Sequence, residues 1–107
     1  MDSNLTIKFW EHCLHTNDPV DELISSGTID PLWVESFNEL YNEVYGKWIH
    51  KEMLPQKIVA SLVHVSRLHV TYGLWCDNNS SSNKETFKTV NRLFEQSLTL
   101  LMNGQNV

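Results

Sequence analysis

Apolar residues recur at helical spacing along almost the whole chain. Leu5, Phe9 and Cys13 fall on one face of a first segment, with Trp10 and Leu14 beside them. Ser3 or Asn4 supplies a cap, and the pattern predicts a helix over 4–16 that Asn17-Asp18-Pro19 stops. In DPVDELISS, Asp18 is placed to cap and Pro19 to open a short helix over 19–25, which Gly27 ends. The clearest start lies at Asp30-Pro31, with Ile29 and Val34 placed to form a hydrophobic staple. From there Trp33, Phe37, Leu40, Tyr41, Val44 and Trp48 trace one face of an amphipathic helix over 31–50. Gly46 weakens its last part, and Pro55 forbids its continuation.

The next segment reads differently. Ile58, Val59, Leu62, Val63, Val65, Leu68 and Val70 cover most of a helix circumference, leaving Lys57, Ser61, His64 and Thr71 as a narrow polar stripe with Arg67 near it. VHVSRLHVTY is rich in β-branched residues and partly alternates, which also suits a strand. The length of the apolar pattern, and the lack of a second convincing strand to pair with, favour a helix over 56–75 at the centre of a bundle or across a dimer seam. Gly73 is a place where that helix ends early or bends. DNNSSS reads as a polar loop over 77–82. Ser82 and Glu85 have capping-box spacing, and Phe87, Val90, Phe94, Leu98 and Leu101 give a last helix over 83–102 its apolar face, with Gly104 at its end. The expected fold is all-α: a compact bundle of four main helices plus one short helix, with Phe37, Leu62 and Phe94 in the core.

At 107 residues the chain fits a single helical domain, 1–107. Eight Lys and Arg against thirteen Asp and Glu give a net charge of −5. No basic stripe exists to neutralise phosphates, so neither nucleic acid nor an anionic membrane surface is expected as a partner. No apolar run approaches the length of a membrane span. Cys13 and Cys76 share no CxxC spacing, and the first residues, MDSNLTIKFW, lack the basic region and apolar run of a signal peptide. A cytoplasmic protein with two reduced thiols is the simpler expectation. The glycosylation patterns at Asn4 and Asn79 then read as chance.

Candidate chemistry is sparse. Of five histidines, His12 and His15 stand three apart, whereas His64 and His69 stand five apart and diverge around a helix. HExxH and the Glu-x-x-His repeat are both absent, so no metal and no cofactor are expected. No nucleophile stands with a base: Cys13 and its neighbours His12 and His15 point in different directions. Glu35, Glu39 and Glu43 form a carboxylate ridge at i, i+4, i+8, with Lys47 placed to pair with Glu43. The ridge reads either as a solvated face or as a strip that steers a basic partner. Four tryptophans, Trp10, Trp33, Trp48 and Trp75, are too many for all to be buried.

The leading expectation is a non-catalytic interaction, regulatory or adaptor protein that binds another protein through a helical surface, with Glu35, Glu39 and Glu43 as candidate contacts. A homodimer through part of 56–75 or its flanking Trp48 and Trp75 belongs to this reading. The alternative to self-association is that DPVDELISS folds back over the same surface. The second functional reading, from another class, is a small-molecule or metal-binding protein, with enzyme activity open, whose pocket between helices is lined by His64, Arg67, His69 and Tyr72. An ionisable cluster on so apolar a helix is either buried and paired or lines a cavity.

Overall fold

The computed structural model describes the backbone of residues 2–15, 18–51 and 53–103, and the side chains of all of these except 2, 3 and 103. Every regular element among them is helical: α1 (Asp2–Leu14), α2 (Pro19–Ser26), α3 (Pro31–Trp48), α4 (Gln56–Ser66), α5 (Leu68–Asn79) and α6 (Lys84–Asn103). With α4 and α5 taken as two halves of one bent helix, this is the expected all-α bundle of four main helices and one short one. The stop at Asn17 and the end signal at Gly104 lie outside the described residues.

Local chemistry explains most of the boundaries. Asp18 Oδ1 accepts from Val20 N–H at 3.0 Å and Asp30 Oδ1 from Leu32 N–H at 2.9 Å, so both aspartates cap as their positions suggested. Pro19 and Pro31 occupy first-turn positions where a missing N–H costs nothing. Gly27 ends α2 in the left-handed region at φ 74°. Ile29 and Val34, the staple pair, are both buried in the core.

Other boundaries differ from the sequence reading. α1 begins at Asp2, so neither Ser3 nor Asn4 is its cap, and it ends at Leu14. α3 ends at Trp48 rather than residue 50. The segment read as one helix over 56–75 breaks at Arg67 and then runs on, through Gly73, to Asn79. No glycine or proline lies at the break. Instead the Ser66 hydroxyl donates to Val63 O at 2.7 Å and the Thr71 hydroxyl to Arg67 O at 2.9 Å, while Arg67 N–H tightens onto His64 O. Hydroxyls competing for helix carbonyls bend helices in this way. The expected loop therefore starts three residues late, at Ser80, which takes the left-handed conformation at φ 48°. α6 is capped by Asn83, whose Oδ1 accepts from Thr86 N–H at 3.2 Å, and not by a Ser82–Glu85 box. Asn83 wins because the Tyr72 hydroxyl holds it on both sides, accepting from its N–H at 3.0 Å and donating to its carbonyl at 3.1 Å.

The core is continuous. α4 packs against α1 and α6, α1 also packs against α3, and α5 lies between α2 and α6. Phe9, Phe37, Val44, Ile58, Leu62, Val65, Leu68, Val90 and Leu93 are fully buried. Phe37 and Leu62 stand where expected, but Phe94 is only half-buried and stacks on His69 at 4.6 Å. The buried line of α6 runs through Thr86, Val90, Leu93, Ser97 and Leu100, displaced around the helix from the one expected. Trp48, expected near an interface, is in the core at 5% exposure. Two further ties cross the bundle. His12 Nε2–H donates to Trp33 O and Trp33 Nε1–H to His12 O, both at 3.0 Å, with the rings stacked. The Tyr41 hydroxyl donates to Gln96 O at 2.7 Å, joining α3 to α6.

Gly27 is the tightest joint. Its carbonyl accepts from the buried Thr86 hydroxyl at 2.9 Å, and the Trp75 indole occupies the space a Cβ would need. Gly27→Ala therefore combines a left-handed backbone with an overlap against the ring. We expect it to destabilise the fold by about 2 kcal/mol or more, measured by urea unfolding. Tyr41 gives a pH prediction. Burial, with the neighbouring Tyr45 adding to it, pushes its phenol from 10.0 up to about 12. The folded state thus prefers neutral Tyr41, so its contribution is complete below the unfolded value and is lost as pH rises through the folded one. Stability of the wild type should fall between pH 10 and 12, and less steeply in Tyr41→Phe.

Candidate functional site

Glu35, Glu39 and Glu43 all project from α3 into solvent, with the i, i+4, i+8 alignment that the sequence implies. The ridge is real as geometry. Lys47, one turn beyond Glu43, lies 5.9 Å from the Trp48 ring centroid, where a cation meets the ring's electron density.

The second group does not converge. His64 Nε2–H donates to Asp18 Oδ1 at 2.9 Å, so this half-buried imidazole ties α4 to the cap of α2. Arg67 is exposed at the α4–α5 break. His69 is exposed and lies against Phe94 of α6. Tyr72 is committed to Asn83. Each side chain reaches a different neighbour, because the break at Arg67 re-aims everything after it. His12 and His15 also part company: the first stacks on Trp33, and the second meets Trp10 edge-on. Among the described residues no group of three or more His, Cys, Asp or Glu side chains is placed to hold a metal ion. Both cysteines are free thiols. Cys13 is buried, and that burial pushes its thiol far above the ordinary range, away from nucleophilic use.

An open cleft of about 610 Å³ lies where α3 and α6 begin, and Glu22, Asp30 and Glu85 put carboxylates around it. Two of these have structural work. Glu22 Oε1 accepts from Asp30 N–H, and Asp30 caps α3. The third, Glu85, is exposed and 4.0 Å from Lys88.

The surface that the sequence reading only partly found is the outer face of α5. Val70 is 66% exposed and Leu74 50%, one turn apart on the same side. Gly73 sits between them, with nothing within 4 Å of the place a Cβ would occupy. α5 carries Asp77 as its only Asp, Glu, Lys or Arg. α2 packs against α5, as the fold-back of DPVDELISS anticipated, and Trp75 is half-buried against Gly27. That cover is incomplete, since Val70 and Leu74 stay open, as do Val63 on α4 and Ile24 on α2. Val70 and Val63 were legible in the sequence as apolar positions off the main stripe. Leu74 and Gly73 were not, because which side of α5 is covered depends on the break at Arg67.

Among the described residues no helix is long and apolar enough to cross a membrane. Comparison with protein-family models, with characterised proteins and with solved structures finds no match to this chain. The molecule is thus defined by its architecture, an all-α bundle with one apolar helix left partly open.

The ridge on α3 has a direct test of its structural part. Glu35→Lys with Glu39→Lys should leave the unfolding midpoint nearly unchanged, since charges this exposed contribute little to stability. A clear loss of stability would mean that the ridge holds the fold instead of facing a partner.

Proposed function

We propose that this chain is a non-catalytic interaction protein that docks a protein partner through the outer face of α5. The observation that carries this reading is the exposed Val70–Gly73–Leu74 strip. A glycine inside a helix costs up to about 1 kcal/mol against alanine. Gly73 meets nothing in its own chain that would explain it. A second helix laid along α5 would use it, because the missing side chain lets two backbones approach closely while Val70 and Leu74 pack to either side. Exposed apolar surface of this kind marks interaction sites more often than catalytic ones.

The partner of choice is a second copy of the chain. At a net charge of −5 most of the surface repels its own copy, but α5 contributes a single formal charge, at Asp77. A two-fold pairing would match this neutral strip to itself. The acidic ridge on α3 would then steer a further, basic partner by its field. Two free thiols accord with a reducing compartment such as the cytoplasm. The four residues His64, Arg67, His69 and Tyr72 favour no second reading, since they reach separate neighbours.

Sedimentation equilibrium across a wide concentration range tests the pairing. We expect a reversible dimer for the wild type and a monomer for Leu74→Glu, with unchanged helical circular dichroism. Gly73→Ala separates the two roles of the glycine: the monomer should gain about 0.5–1 kcal/mol while the dimer weakens. A wild type that stays monomeric at every concentration would reject self-pairing. Equal dimerisation by Leu74→Glu would move the interface away from α5.

A further inference from the structure

α1 and the first turn of α4 enclose a separate groove of about 510 Å³, lined by Thr6, Trp10, Pro55, Gln56, Lys57 and Ala60. Its chemistry is unlike that of the rest of the surface. No carboxylate lines it, in a chain whose net charge is −5. The Lys57 ammonium stands 4.1 Å from the Trp10 ring centroid. α4 opens on Pro55, which makes no side-chain cap. The first intrahelical bond is donated by Val59 to Pro55 O, so the N–H groups of Gln56, Lys57 and Ile58 precede it and no side chain caps them. Such a helix start carries partial positive charge and favours an anion.

Thr6 supplies an independent observation. It lines the groove and is only 8% exposed, yet its hydroxyl has no hydrogen-bond partner among the described residues. Other buried hydroxyls in the bundle are satisfied: Ser61, Thr71 and Ser97 donate to the carbonyl four residues back, and Thr86 donates to Gly27 O. A buried polar group left open toward a groove is costly unless something fills it. The other walls are apolar: the Trp10 indole, the Pro55 ring and the Ala60 methyl.

We propose that this groove binds an organic carboxylate with an apolar, ring-sized body. The carboxylate takes the Lys57 ammonium and the uncapped N–H groups of α4, and the Thr6 hydroxyl donates a further hydrogen bond. The body lies against Trp10 and Pro55. Two sources present this chemistry, a small free acid and the C-terminal carboxylate of a peptide whose last residue is aromatic.

Amide and indole NMR shifts of the full chain test the assignment, with phenylacetate, phenylacetamide and a hexapeptide ending in Phe, free-ended or amidated, as probes. Saturable shifts are expected at Gln56, Lys57 and Ile58 amides and at the Trp10 indole with the acids alone. Lys57→Gln, at an exposed position, should weaken phenylacetate about tenfold, the usual scale for losing a charge-assisted bond. Thr6→Val should weaken it less, and Lys57→Gln keeps the test valid should that variant fail to fold. Tighter binding of the free-ended peptide than of phenylacetate assigns the site to a chain terminus. The reverse order assigns it to a small acid. Failure of both acids to give saturable shifts would overturn the proposal, as would amides binding as well as acids or an unchanged affinity in Lys57→Gln.

Discussion

Trp75 rests on the Cα of Gly27, and the half of the bundle built from α2, α5 and α6 depends on that contact. Gly27 does three things at once. It ends α2 in a conformation that other residues resist, it leaves room for the indole, and its carbonyl anchors Thr86 of α6. A side chain at this position would part α2 from α5. The Tyr72–Asn83 bonds, which set where α6 begins, sit on the same α5 helix and depend on its placement.

The break at Arg67 divides the labour of an unusually apolar stretch. Before it, α4 is a true central helix, with Ile58, Leu62 and Val65 sealed between α1 and α6. After it, α5 turns toward α2 and α6 and keeps only Leu68 and Thr71 fully inside. Had the helix stayed straight, Val70 and Leu74 would have had different neighbours. Hydroxyl bonds to Val63 O and Arg67 O, small as each is, therefore decide which apolar residues remain open to a partner. The docking face on α5 is a consequence of local helix chemistry as much as of composition.

Charge is allocated with similar economy. Asp18, Glu22 and Asp30 look like surface acids, yet they cap helices, brace the loop before α3 and receive His64. Glu35, Glu39 and Glu43 have no such duty in view and lie free on α3 to act at a distance. The groove between α1 and α4 is the reverse case, a place from which carboxylates are excluded and at which Lys57 and a helix start are collected. Apolar strip, acidic ridge and cationic groove lie on different helices, an arrangement suited to a protein that acts by binding.

The sequence by itself determined the class of fold, the caps at Asp18 and Asp30, the end at Gly27 and the burial of Phe37 and Leu62. These follow from short-range rules: a carboxylate reaches an N–H two residues on, a left-handed turn wants glycine, and mid-stripe residues of an amphipathic helix face inward. It also displayed the acidic ridge, since i, i+4 spacing alone aligns it. Tertiary structure decided the rest. Asn83 displaced Ser82 as a cap because Tyr72, eleven residues away, grips its backbone. Phe94 yielded the core to Leu93 because α6 is rotated by its packing against α4 and α5. His64 and His69 acquired different partners because a bend between them, invisible to periodicity, turned one toward Asp18 and the other toward Phe94. Periodicity says which faces a helix has; only the neighbours that close over it say which face is left open.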